Sequence, residues 1–480
     1  MKPRPNLLVS SGHIAGSRVA VALVSFAFMA YIARILTKEE MALFASLQIL
    51  ASWFPIFCGF GLPTLCIREV PGLLARDDEE TARRLVSSQI FYRVIVGGIG
   101  CLILEFLAAP VSKLILDTGD YLAHIRLVIV TAYLMVVLDG LRLAHTALQR
   151  FKPSSWIFFT TQTVQRVLAV TLFLTMGLWG YFIGFLAGTI LGIIMMAYSV
   201  RDFIFGAPQP LASLFPRSRM YWLHNILRST YMQLDQTVIA VFFDPSALAE
   251  FFVAKKLVSY ALVLIEAMNQ PILPRIAELR DQGGDRLKRF YYKTSHVVTG
   301  FVAAVGLGLS ALAPWLVVAY GGEKYTDAGP ILAALGVAAA VFGMTQFQRG
   351  FVLQLAPPRF IVGQEIVISV STILLYAAFA PLLGLVGIAW AQTGGFLLGF
   401  AYLIFVLNRK AGLKPSPAAY IWPALASLGM FLAVRGVAGG LAFLPALIVG
   451  LILGAAVFLT VIWLGWRGPL GGIRSWLRLD

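Results

Sequence analysis

The chain has 480 residues, of which 59% are apolar and only 13% charged, with a mean hydropathy of +0.82. Soluble globular chains run nearer to about 45–50% apolar and about 25% charged, so water-soluble enzymes, disordered proteins and nucleic-acid-binding modules are disfavoured at the outset. The formal charge of +15 would suit a nucleic-acid partner, but lysine and arginine gathered on the cytoplasmic side of a multi-pass chain account for it without one.

Apolar blocks long enough to cross a hydrocarbon layer of about 30 Å fall at 14–36, 42–65, 89–109, 122–147, 154–176, 179–200, 220–243, 246–272, 294–319, 329–353, 360–382, 385–407, 418–438 and 443–466. The pattern predicts an all-α polytopic protein with about fourteen transmembrane helices. Most cations lie in the tails and in the loops after even-numbered spans, among them Arg68, Arg83, Arg84, Arg150, Lys152, Arg217, Arg275, Lys293, Arg409 and Lys410. The odd-numbered loops hold little beyond Lys38, Lys113 and Lys324. Both termini are then expected in the cytoplasm, in agreement with an even number of spans.

The first apolar block is long and closely followed by another, so no cleaved signal peptide is expected. No loop is long enough to form a catalytic domain. Arg76–Arg84 and Arg275–Lys293 read as short amphipathic connectors at the cytoplasmic surface. Cys58 and Cys66 would stand roughly 12 Å apart on one helix, too far for a disulfide, and Cys101 lies in another block. The five histidines show no metal-ligand spacing, and the phosphate-loop, HExxH and GxSxG patterns do not occur. No enzyme activity, cofactor or metal is expected.

A duplication at a shift of about 205 residues is the most informative feature. The turn Leu36-Thr37-Lys38-Glu39-Glu40-Met41-Ala42-Leu43-Phe44 matches Phe243-Asp244-Pro245-Ser246-Ala247-Leu248-Ala249-Glu250-Phe251, and Arg68 falls on Arg275. Leu148–Pro153 matches Leu353–Pro358, and Gly177-Leu178-Trp179-Gly180 matches Gly384-Leu385-Val386-Gly387. Four matches in one order predict two parallel six-helix lobes, an arrangement of transporters with a substrate site between the halves. The expected boundaries are 1–205 and 206–412, with 413–480 adding two further helices and a short tail.

The motifs Ala33-Arg34-Ile35-Leu36-Thr37-Lys38-Glu39-Glu40 with Phe44, Arg68-Glu69, Leu234-Asp235-Gln236, Pro271-Ile272-Leu273-Pro274 and Gly321-Gly322-Glu323-Lys324-Tyr325 together have a familiar pattern. It resembles the polysaccharide-transporter branch of the multidrug/oligosaccharidyl-lipid/polysaccharide exporter superfamily, the Wzx-like flippases. The resemblance covers essentially the whole chain. It implies a V-shaped pair of lobes that flips an undecaprenyl-diphosphate-linked oligosaccharide from the cytoplasmic to the periplasmic leaflet of the bacterial inner membrane. Membrane lipids, a polysaccharide polymerase and glycosyltransferases are the partners it implies, and lipopolysaccharide O-antigen units fall in the substrate class.

An ionised side chain at the bilayer centre costs roughly 2.5–3.5 kcal/mol on insertion scales, so each needs a partner or a wet cavity. In the seventh span His224, Arg228, Tyr231 and Asp235 share one helical face. The eighth carries Lys255, Ser259, Glu266 and Gln270 in line, with Lys256 beside them. Arg18 and Ser25 stand on one line of the first span, and Gln48 and Ser52 on one of the second. These four spans line the cavity in the family the sequence resembles.

On one reading Arg18 and Arg228, with Lys255 or Lys256, hold the diphosphate, because a guanidinium gives phosphate two parallel charge-assisted hydrogen bonds. Asp235 and Glu266 are placed to couple protons or Na⁺, while removal of the product by later polymerisation is the other source of drive. On the other, Arg228 pairs with Asp235, Lys255 pairs with Glu266 or Glu250, and Arg18 snorkels to the interface. Asp139 with Arg142, Arg166, and Glu365 with Arg349 read as structural pairs within a lobe, and Arg93 reads as interfacial. Three competing functions remain: a multidrug or organic-cation antiporter of the same superfamily, a scaffold for glycosyltransferases, and a peptidoglycan-precursor flippase.

Overall fold

The computed structural model describes residues 22–110, 121–269, 272–282, 284–438 and 443–466. Its helices are α1 (Ala22–Ile35), α2 (Lys38–Phe57), α3 (Leu62–Leu74), α4 (Glu79–Phe106), α5 (Leu122–Ala147), α6 (Phe151–Ser199), α7 (Arg201–Ile204), α8 (Leu211–Phe242), α9 (Pro245–Asn269), α10 (Ile272–Gln282), α11 (Gly284–Gly321), α12 (Ala328–Leu355), α13 (Arg359–Ala411), α14 (Ala418–Ala438) and α15 (Phe443–Trp466). Two compact units divide the chain, Met1–Ala249 and Glu250–Asp480.

Among the described residues seven helices are long and apolar enough to cross a membrane. Two of them, α6 with 49 residues and α13 with 53, are each a pair of spans. A straight helix of such length would extend to more than about twice the hydrocarbon thickness. Both reverse instead at a glycine with non-helical backbone, Gly177 (φ 61°, ψ −143°) and Gly384 (φ 59°, ψ −136°). A side chain is rarely tolerated there.

Beyond each reversal, glycines let the two arms approach too closely for any side chain. A Cβ on Gly180 would lie 1.9 Å from the Leu172 carbonyl oxygen, and one on Gly188 2.5 Å from Cα of Gln165. In α13 a Cβ on Gly387 would lie 2.2 Å from the Phe379 carbonyl oxygen, and one on Gly395 1.9 Å from Oγ1 of Thr372. Positions 207 apart therefore make the same hairpin twice. Gly180→Ala is expected to force the arms apart and cost about 1–3 kcal/mol, read as a lowered unfolding temperature of the detergent-solubilised protein.

The duplication is equally visible at helix starts. Thr37 caps α2 with a reciprocal pair, accepting from the Glu40 amide at 3.2 Å while Glu40 accepts from the Thr37 amide at 2.9 Å. At the equivalent position Asp244 accepts from the Ala247 amide at 2.7 Å. The pairing inside each lobe has diverged: Arg142 stacks on Phe158 with 5.6 Å to the ring centroid, whereas Arg349 at the matching place meets Glu365 at 3.1 Å.

The fold is all-α, with about fourteen transmembrane helices in two sequence-related sets of six plus α14 and α15. Those two pack on α11, where Ala426, Met430, Val434 and Phe458 meet Ala303, Ala311 and Leu312.

Some local expectations change. The second span breaks after Phe57, and Cys58 caps it, so Cys58 and Cys66 belong to different helices; both are buried free thiols. The break centres on Gly61 (φ 72°), where a Cβ would meet the Ser218 carbonyl oxygen at 2.3 Å, so the approach of α8 dictates it. Most of Arg76–Arg84 is the start of α4, and the described part of the Arg275–Lys293 connector is helical, made of α10 and the start of α11. Arg93 is not interfacial. It is buried in α4 and donates to the Val136 carbonyl and to Asp139, each at 3.0 Å, while Arg142 reaches Asp139 at 2.7 Å. Gly140 leaves the room, since a Cβ there would lie 3.0 Å from Cδ of Arg93.

Candidate functional site

The seventh span is one unbroken helix, α8, and the heptad-like spacing of its polar residues keeps them on a single face. The stripe deepens along its length. His224 and Arg228 are half-buried, whereas Tyr231 is 2% and Asp235 0% exposed. Asp235 accepts from the Gln236 amide at 2.7 Å. Arg228 makes no ion pair among the described residues, so the Arg228–Asp235 pairing considered from the sequence is not formed here.

Helix α8 is held to α2 and α3 within the N-terminal unit. Nε1 of Trp53 donates to Oγ1 of Thr237 at 2.9 Å, two residues beyond Asp235. Near the start of α8, Phe60 sits against Phe215 and Trp222 at centroid distances of 6.3 and 5.6 Å. There Arg68 donates to Tyr221 and stacks on its ring, and Arg217 pairs with Glu69. Glu69 and Arg217 are 31% and 52% exposed, and such pairs contribute about 0–1 kcal/mol. Glu69→Gln is expected to shift unfolding by less than about 1 kcal/mol. A larger loss in a denaturation series would show that this contact anchors α8.

The other predicted residues of the N-terminal unit are half-buried: Ser25 on α1, and Gln48 and Ser52 on α2. In the C-terminal unit α9 carries Lys255, Lys256, Ser259 and Glu266, all half-buried. Nζ of Lys256 lies 4.9 Å from the ring centroid of Phe252 one turn back. Ser52 and Ser259, equivalent in the duplication, both return their hydroxyl protons to the backbone, at Ile49 (2.8 Å) and Lys256 (2.6 Å). These hydroxyls are already satisfied by their own helices. Arg18 and Gln270 lie outside the described residues.

The sequence reading missed Trp53–Thr237 and the two contacts of Arg68-Glu69. The motif itself was visible, but its partners lie about 150 positions away on α8, beyond any local spacing rule. Of the pairs read as structural, Asp139–Arg142 and Arg349–Glu365 form. Arg166 binds the carbonyl and Oε1 of Gln162 in its own helix, each at 2.9 Å.

Long apolar helices, a duplicated six-helix set and ionisable residues placed at mid-span define a multi-pass membrane protein of transporter architecture. Its sequence pattern over residues 7–280 is that of polysaccharide biosynthesis proteins, and the chain belongs to that family. A probable flippase, AglR of Haloferax volcanii, is 24% identical over 245 residues, covering 50% of this chain; the chain spans about half (51%) of that relative. The fold is similar to that of the lipid II flippase MurJ in an inward closed conformation, with a TM-score of 0.76 at 15% identity, covering 95% of this chain and 98% of that one. It is also similar to the Vibrio cholerae MATE transporter VcmN, with a TM-score of 0.62 at 16% identity, covering 84% and 96%.

Proposed function

We propose that this protein flips an undecaprenyl-diphosphate-linked oligosaccharide from the cytoplasmic to the periplasmic leaflet by alternating access. The observation that carries the reading is Arg228: a half-buried guanidinium, unengaged in any ion pair among the described residues, on the polar face of a helix of membrane-spanning length. Such a group is costly in lipid and is retained where an anion needs it. A diphosphate is that anion. The family membership and the flippase relatives support the same reading.

In this scheme Arg18, Arg228, Lys255 and Lys256 form the cationic set, and His224, Tyr231, Ser25, Gln48, Ser52, Ser259 and Gln270 give the polar lining. Asp235 and Glu266 couple an ion gradient. The duplicated six-helix sets are 1–205 and 206–412, a division of the sequence repeat distinct from the packing units, both termini face the cytoplasm of a bacterial inner membrane, and a polymerase and glycosyltransferases act beside the protein. The antiporter reading is weaker on one point: an organic cation is repelled by an unneutralised arginine.

The test is reconstitution of the full chain in liposomes with a fluorescent undecaprenyl-diphosphate sugar and a membrane-impermeant quencher. Protein-dependent exchange between leaflets is expected. An exchange rate equal to that of empty liposomes would overturn the proposal, and uptake of an organic cation instead would favour the antiporter.

A further inference from the structure

The C-terminal unit contains a cavity of about 860 Å³ whose lining includes no residue of α9. That volume lies within the roughly 300–1,000 Å³ of small-molecule sites. Its wall is apolar, formed by Leu307 and Pro314 of α11, Val337 of α12, Trp390 of α13, and Leu428 and Phe431 of α14. Its rim is charged. Arg435, near the end of α14, stacks on Phe431 and Trp315 at 5.3 and 5.9 Å from their centroids. Asp327, at the start of α12, lines the same cavity and makes no capping bond.

Neither Arg435 nor Asp327 forms an ion pair among the described residues. Both stand where α12 begins and α14 ends, so the rim is at headgroup level and the apolar wall runs inward from it. We infer that the cavity is a binding site for a zwitterionic phospholipid of the surrounding bilayer. Its phosphate sits on the Arg435 guanidinium, its ammonium faces Asp327, and one acyl chain lies along Leu307, Val337 and Leu428. An anionic phospholipid without the ammonium sets negative charge against Asp327 and fits less well. A bound chain extends the packing of α14 beyond its seam with α11.

The full chain, purified in a mild detergent, is incubated with phosphatidylethanolamine or with phosphatidylglycerol of the same acyl chains and examined by native mass spectrometry. One phosphatidylethanolamine per chain is expected, retained about tenfold better than phosphatidylglycerol. Arg435→Ala should lower retention about tenfold, the worth of a charged hydrogen bond. Ala424→Trp, at an exposed wall position, should fill the space and do the same should Arg435→Ala not fold. No retained phosphatidylethanolamine, equal retention of the two lipids, or unchanged retention in the folded variants would each overturn the assignment. So would preferential retention of undecaprenyl phosphate. The readout is lipid occupancy, so it stands or falls independently of flipping.

Discussion

Arg228→Ala is expected to reduce surface polysaccharide about a hundredfold while the protein remains inserted and folded. The magnitude is the lower limit of losing two charge-assisted hydrogen bonds to a diphosphate, each worth about 1.5–3 kcal/mol. The folding part follows from the structure: Arg228 is half-buried and closes no ion pair among the described residues, so its removal strands no buried carboxylate. Arg228→Lys should recover part of the activity, because an ammonium keeps the charge but not the bidentate geometry. Polysaccharide measured by gel and antibody, beside membrane-fraction immunoblots, separates the outcomes. Undiminished polysaccharide in Arg228→Ala would sink the diphosphate role, and loss of protein from the membrane would make the arginine a structural element.

Glu365→Ala should have the opposite profile, with a large loss of stability. Glu365 is fully buried and its partner Arg349 nearly so, with 3.1 Å between them. Removing one member leaves a buried charge, a penalty of about 3–5 kcal/mol. Replacing both, as Arg349→Met with Glu365→Leu, should return most of it, since an apolar pair of similar volume is often neutral or better. Phe158→Leu, beneath the equivalent Arg142, should cost only about 0.5–1 kcal/mol. Thermal unfolding of the four purified proteins checks the order. A double variant no more stable than Glu365→Ala would show that the pair is worth more than its burial costs.

Both predictions rest on residues visible in the sequence, but in different degrees. The stripe His224, Arg228, Tyr231 and Asp235 was legible because helical periodicity is local and polar residues in an apolar block stand out. Its gradation from half-buried to buried was not, because burial is set by packing against elements remote in the chain. Arg349 and Glu365 were legible as a pair because one short turn separates their helices. Arg93 was misread for the converse reason: its acceptor, Asp139, lies across a span boundary, and only the space left by Gly140 lets it in.

The amino-acid sequence alone determined that this is an all-α membrane protein, how many spans it has, that its two six-helix sets arose by duplication, and where its unusual charges lie. Those are properties of composition, period and repetition, which the bilayer converts directly into structure. The tertiary structure decided the rest: that Gly177 and Gly384 reverse the chain, that the second span breaks at Gly61 under α8, which charges neutralise one another, and that α11 to α14 line an open, charged-rimmed cavity. Each depends on the distance between side chains remote in sequence, which no local pattern encodes.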